Sequence, residues 1–559
     1  MRRMEVVMGR ASRVCAAAGL AITLATVVVP AQVGAAVPSR GPAAVSTRGV
    51  SSSGLARARA QLPMLQQRGS HGMMATRAGE VTASQAAPAG AVSSNVQFLA
   101  NLPIPSAIAL AFIGNTVFVS TVLGVYSVDI SDPTNPRLLG SIPMYIWENE
   151  HMTADPARNL IFIARDPRGF TTPATTAFPY GATHIIDVSN PSAMTEVSFH
   201  TQPTGHTAAC INNCTFLWVA GPASPAIAVQ SGADPSWGGR PMWGIDITDP
   251  AHPVDCPHFI DLNNHDGRTD YDHDVDLDAT GIAWISGSGH VRGFWTSGQH
   301  LNPVSGRVET ATACDPIPAG GGNTNEGQIS VQGGVIHNSF RNMTLAVDGR
   351  KGDVHAATEE VTTSDCAESG RFVTYDLAGS MQGQDWTSPP SKPYVLPRLG
   401  VWTPQGQPGS TGCDSSHWFT DRGDGLVAIA FYTQGTRILD TRDPRHVRQV
   451  GYYNVADLSG ASTNNAWASY WHGDNYIYVA DFERGLDVLR FTGAVDAAAG
   501  PAVASTARPS SAAGERQRVL PNTSAGVAAL LAERPTPATI TVLMLLPMLA
   551  VGAWIMRRQ

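Results

Sequence analysis

In residues 124–144, GVYSVDISDPTNPRLLGSIPM, an apolar and β-branched run (Val125, Tyr126, Val128) closes on Asp129. Asp132-Pro133 follows as a turn, and Leu138-Leu139 opens a second apolar stretch. Such a run, a Pro/Asp turn and another run predict two adjacent antiparallel strands. The pattern returns at 183–200, 242–262, 372–383 and 436–454, with weaker copies at 290–298 and 486–493. Each copy is one supersecondary unit that must bury its apolar faces against its neighbours. Seven copies therefore predict an all-β, seven-bladed β-propeller.

The ends of the array support closure into a ring. VQFLANLPIP, from Asn95, reads like the last strand of a unit with no unit in front of it, and the final copy lacks such a strand. The N-terminal strand is expected to complete the last blade. Within 271–305 the expected strands are HDVDLD, IAWISG and HVRGFW, with an outer strand near Val304. The cassette anchors Asp129, Asp187 and Asp246 are 58 and 59 residues apart. Simple blades need roughly 40–50, so long loops are expected at 165–181, 221–240, 315–327 and 380–411.

The flanks read differently. Arg2, Arg3, Arg10 and Arg13 precede an apolar run and then Val33-Gly34-Ala35-Ala36, the order of a signal peptide over 1–36. Residues 37–93 are poor in large apolar side chains and read as a disordered linker ahead of the propeller at 94–494. Residues 495–537 form a stalk rich in Ala, Ser and Pro, and 538–559 an apolar membrane anchor with a basic tail. Within the stalk, Leu520-Pro521-Asn522-Thr523-Ser524 resembles the Leu-Pro-x-Thr-Gly sorting motif of Gram-positive surface proteins, with Ser524 in place of the Gly. The expected location is the outer face of the membrane or the cell wall. Expected partners are the membrane, through that anchor, and an extracellular ligand, protein or wall polymer.

The repeated strand ending in Asp-[Ile/Val/Thr]-[Ser/Thr]-[Asp/Asn]-Pro resembles the LVIVD-repeat β-propeller proteins of bacterial and archaeal surfaces, over about 94–494. That resemblance implies the fold and leaves the activity open.

Composition narrows the classes. The net charge of −8 is spread along the chain without a basic stripe, so nucleic acid is not an expected partner. Beyond the signal segment lie six cysteines, an even number that favours disulfides in an exported chain. Cys210 and Cys214 flank a tight turn and are expected to pair; Cys256–Cys314 and Cys366–Cys413 are the expected remaining bridges.

Six of the 16 histidines recur just ahead of, or within, a unit's innermost strand: His151, His206, His273, His337, His417 and His472. Innermost strands line a propeller's axis, so residues at one register converge there. Imidazoles from several blades suit a divalent transition metal (Fe, Cu, Zn or Mn), with Glu148, Glu150, Asp272 and Asp274 as added ligands or orienting groups. Capping of loops in a polar channel accounts for the same residues without a metal. The acidic stretch Asp261–Asp278 suggests a surface calcium site, although Leu262 and His273 break the EF-hand pattern. No Gly-x-Ser-x-Gly elbow or phosphate-loop motif is present. Three functions stay open: a surface binding module with a histidine-lined axial metal site, a metal-dependent oxygenase or hydrolase at that site, or a metal-free scaffold.

Overall fold

The recurrent Asp-x-x-Asp/Asn-Pro segment is a pair of side-chain-capped turns. The carboxylates of Asp129, Asp187, Asp246, Asp376 and Asp440 each accept a hydrogen bond from the backbone N–H two residues on. Asp132, Asn190, Asp249 and Asp443 repeat this three residues later. These Asx turns end one strand and start the next. The turn also joins neighbouring blades: Ser127 Oγ donates to the Pro191 carbonyl, and Thr374 Oγ1 to that of Pro444, each at 2.6 Å. Gly400 leaves the room this requires, since a Cβ there would lie 2.4 Å from the Pro444 oxygen.

In the computed structural model these units form seven antiparallel sheets. It describes residues 81–493 except 105, 123, 145, 147–148, 167–180, 203, 222–241, 258–259, 261–271, 288, 325–334, 361–369, 381–393, 456–464 and 474. Blade 1 runs Ala107–Ile113, Thr116–Thr121, Gly124–Asp129 and Arg137–Pro143 from inside to outside. Blades 2 to 6 start at the innermost strands Thr153–Asp155, Thr207–Ile211, Asp272–Leu277, Val335–Arg341 and Phe419–Asp421. Blade 7 starts at Ala466–His472. All seven cassettes fall on third strands, as their pattern predicts.

Val96–Leu102 pairs antiparallel with Gly485–Phe491 and supplies the outer strand of blade 7, closing the ring. The closure is locked by polar contacts. Buried Asn101 donates from Nδ2 to the Arg484 carbonyl at 2.9 Å and to Asp487 Oδ1 at 2.8 Å. Asp487 also accepts from Tyr453 Oη at 3.0 Å. The apolar core is divided among the blade interfaces. Phe118 and Val125 of blade 1 pack on Ile161 and Ile163 of blade 2, and corresponding clusters fill each junction round to blades 7 and 1. Each blade is buried only by its two neighbours.

Several expectations need correction. The stretch 37–93 is not wholly a linker, because Gly90–Val92 adds a fifth strand to blade 6 and Ser84 bridges Asn101. The outer strand of blade 4 is Ile317–Asn323, inside a segment expected to be a loop. The region around Val304 is instead the tip of a separate hairpin, Gln299–Asn302 with Arg307–Thr310. Alternation located strands here but not which of two successive hairpins the sheet accepts. The disulfides Cys210–Cys214 and Cys256–Cys314 are present, the second tying the edge of blade 3 to the insertion of blade 4. Cys413 is disulfide-bonded; Cys366, the signal segment, the stalk with its sorting-like motif and the C-terminal apolar segment lie outside the described residues. No helix among the described residues is long and apolar enough to cross a membrane.

One core residue gives the fold a pH dependence. His355 is fully buried against Trp284, and neither ring nitrogen has a hydrogen-bond partner. Burial, aided by the Arg341 charge, pushes its pKa down to about 3. As pH falls below about 6.5, the unfolded chain therefore takes up a proton that the folded one refuses. Stability should fall by up to about 1.4 kcal/mol per pH unit from this group alone, until pH nears its folded value. In denaturant titrations, His355→Phe should flatten the stability profile between pH 6 and pH 4 by about that slope; an unchanged slope would show that the ring is not held neutral.

Candidate metal centre

The innermost strands do not run straight past the axis. Their pairing slips at Ile108, at His273, at His337-Asn338 and at Trp467, each within a β-bulge. A bulge re-aims a side chain out of the pleat; here it turns one residue per blade inward. Blades 2, 3 and 6 reach the same level through segments just ahead of regular pairing. His151 bridges Thr207 in parallel, and Trp418 bridges Ala468. Glu150 therefore stands level with His206, and His417 with Trp467. Blades 2 to 6 place Glu150, His206, His273, His337 and His417 around the axis, and blades 7 and 1 place Trp467 and Ile108.

The five polar residues are buried, none more than 1% exposed. Glu150 Oε2 lies 2.8 Å from His206 Nε2, 2.8 Å from His337 Nε2 and 3.4 Å from His273 Nε2. Glu150 Oε1 lies 3.4 Å from His417 Nε2. The Nε2 atoms of His206 and His273 are 3.2 Å apart. Side chains from five different blades meet this closely only on the axis. Glu150–His337–His417, Glu150–His206–His273 and His273–His337–Glu360 each bring their ligand atoms within 4.8 Å of one another, close enough to hold a metal ion.

The outer nitrogens fix the tautomers. His206 Nδ1 faces Asp166 Oδ2 at 2.9 Å. His273 Nδ1 faces the carbonyl of His337 at 2.9 Å, and His417 Nδ1 that of Trp467 at 2.5 Å. These oxygens only accept, so in three rings Nδ1 carries a proton and Nε2 is the nitrogen turned to the axis, where a cation would displace the protons shared with Glu150. Asp166–His206 is the carboxylate–imidazole pairing that orients a metal-binding ring. His337 differs: its Nδ1 is buried without a hydrogen-bond partner, and His417 Nε2 and Glu150 Oε1 have only their 3.4 Å ion-pair contact with each other.

The electrostatics follow. Burial alone would raise the Glu150 pKa, but the charges of His206 and His417 and the hydrogen bonds from His206 and His273 hold its carboxyl well below the ordinary range. Burial and the neighbouring His417 and His273 push His337 well down. Burial would also lower His417, but the Glu150 carboxylate turns that into a net rise. Without a cation the cluster is one carboxylate sharing protons with crowded imidazoles. A divalent ion held there would replace those protons with a single charge that every inner nitrogen could face.

Of the six histidines singled out by sequence, four come together and two do not. His151 is one residue past the inward position; its Nδ1 pairs with Asp274 Oδ1 at 2.8 Å, and its ring lies 4.8 Å from Trp418. His472 ends its strand at the opposite edge of blade 7, where it stacks on Phe112 at 4.3 Å. Their inward counterparts are Glu150 and Trp467. Asp272 meets His290 at 3.3 Å rather than the cluster, and Glu148 lies outside the described residues. Sequence reading missed Asp166 and Glu360. The available signal was a carboxylate directly after, or at the end of, a buried second strand, Leu160–Arg165 and Val354–Glu360.

Of the suggested calcium stretch, 261–271 is outside the described residues. Asp278 is occupied by Thr280, Ile282 and Trp284. Arg422-Gly423-Asp424 precedes strand Leu426–Phe431, with Arg422 and Asp424 paired at 2.7 Å.

Glu150→Gln tests the electrostatics without requiring a ligand. Removing the charge leaves buried imidazoles uncompensated, so the metal-free variant should lose ~3–5 kcal/mol near neutral pH. The Glu150 pKa is lowered on folding, so its contribution is present above about pH 4.5 and lost as pH falls through its folded value. The difference between the proteins, measured by chemical denaturation, should shrink in that range. A variant as stable as the parent at pH 7 would contradict a charged Glu150.

A family model described as the LVIVD repeat matches residues 107–143, 181–201 and 471–489, which lie in blades 1, 2 and 7. No curated protein matches the chain. Among solved structures, one described as the crystal structure of RRP9 WD40 repeats superposes with a TM-score of 0.42 at 8% sequence identity. That match covers 72% of this chain and 99% of that one.

Proposed function

Starting from a seven-bladed β-propeller that carries LVIVD repeats, we propose that this protein is a cell-surface module holding one divalent transition metal ion on its axis and offering it to an extracellular ligand. The donors are the inward nitrogens of His206, His273, His337 and His417 and the carboxylate of Glu150. The observation that carries the reading is the outward locking of three Nδ1 protons by Asp166, the His337 carbonyl and the Trp467 carbonyl. Loop-capping histidines have no need of aligned inward lone pairs; a cation does. Imidazole with one carboxylate suits Fe, Cu, Zn or Mn. Five donors exceed the four of a closed tetrahedral zinc site, which directs the reading toward an ion that accepts five or six ligands. The surface location rests on the N-terminal signal-like and C-terminal anchor-like segments of the sequence.

A second reading, a metal-dependent enzyme, is favoured by the gap in the donor ring. Blades 7 and 1 present Trp467 and Ile108, which leave one side of the ion without a protein ligand, as catalytic sites do.

Elemental analysis of the purified full-length chain is the test. About one transition-metal ion per chain is expected after loading and dialysis, falling below about a tenth in His273→Ala and Glu150→Gln. Sub-stoichiometric metal in the parent, or unchanged metal in both variants, would leave an empty polar channel.

A further inference from the structure

The missing sector of the donor ring has a structured surround. Trp467 and Ile108 pack together with Ala109, and Val122, Tyr432 and Phe482 pack partly buried against them. Trp467 lies 5.3 Å from Phe482, nearly parallel to it, and 5.7 Å from Tyr432, nearly perpendicular. It also lies 5.3 Å from His417, a proposed ligand. Val122, Tyr432 and Phe482 each occupy the turn between the second and third strands of blades 1, 6 and 7. Those turns leave the sheets at the face where the inward residues lie. Partly exposed Val122, Tyr432 and Phe482 thus rim, at that face, the buried Trp467 and Ile108 on the one side of the axis without a donor.

Two details of this patch bear on what it could bind. Trp467 Nε1 is buried and has no hydrogen-bond partner, although indole N–H groups in cores normally find one. Tyr432 is held at φ +24°, a rare backbone for a residue with a side chain. Its hydroxyl donates to Glu360 Oε1 at 2.7 Å, which fixes the ring beside His417.

We infer that blades 6, 7 and 1 form a binding site for a small molecule with a flat apolar body and an oxygen-bearing head. The body would stack among Phe482, Tyr432 and Trp467; the head would accept the Trp467 N–H bond and reach the open side of the ion. The inference rests on the metal reading above and specifies the class of ligand that the axial site admits.

The test uses copper(II)-loaded full-length protein titrated with benzohydroxamate and with acetohydroxamate, followed by the visible absorption of the copper. The two probes share a metal-binding oxygen head and differ in the aromatic body. Benzohydroxamate is expected to bind at least about tenfold more tightly, as burial of a ring predicts. Phe482→Ala, at the half-buried rim, should cut that advantage to about threefold or less without changing copper stoichiometry or acetohydroxamate affinity. Trp467→Phe should weaken both probes by about fivefold, the loss of one hydrogen bond. Copper bound one to one with a spectrum that neither probe moves would overturn the inference and leave the metal reading standing. Equal affinities, or no effect of Phe482→Ala, would overturn it as well. A chain that takes up no copper or other transition metal would overturn both.

Discussion

Ring closure is the constraint on which the rest depends. No blade contains its own core; each apolar cluster is shared between neighbours, so an open array would leave two unburied faces. Pairing of Val96–Leu102 with Gly485–Phe491 removes those faces, and the buried Asn101–Asp487–Arg484 contacts fix the register. Only in a closed ring do residues 150 and 417, far apart in the chain, face each other across an axis. The chemistry at the centre is a consequence of topology rather than of any local motif.

That centre is expensive to build without a cation. Four imidazoles and a carboxylate are withdrawn from water, and their inner nitrogens crowd to 3.2 Å in one pair. Burial of unpaired polar groups costs several kcal/mol each unless protons or an ion compensate. The asymmetry of the ring is equally informative. Donors occupy five consecutive blades, while the other two supply an indole and an aliphatic side chain at the same level, so the centre has a polar side and an apolar side. A symmetric structural clamp has no use for that division.

The fold was legible in the sequence because turn chemistry repeats. The cassette's Asp marks the third strand in five blades and its Asp/Asn-Pro turn in four of them, the apolar run alone marks the other two, and the orphan strand at Val96 announced how the ring closes. The site was legible in part. His206, His273, His337 and His417 were found by their place ahead of, or within, an innermost strand, but that criterion misplaced the inward position in two blades. In blade 2 the inward residue lies ahead of regular pairing, held by an isolated bridge at His151, so no strand register marked Glu150 and His151 stood in for it. In blade 7 the bulged position carries Trp467, whose type gave no hint of an axial role, while His472 at the far end of the strand attracted the reading. Asp166 and Glu360 were hidden because their roles arise from neighbours in other blades.

The most direct test of the account is anomalous X-ray scattering from crystals of the full-length protein soaked in a transition metal, measured at that metal's absorption edge. The account predicts one strong peak on the propeller axis, about 2.0–2.3 Å from the inner nitrogens of the four histidines and from Glu150. No axial peak, or peaks only at exposed histidines such as His252 and His446, would contradict it.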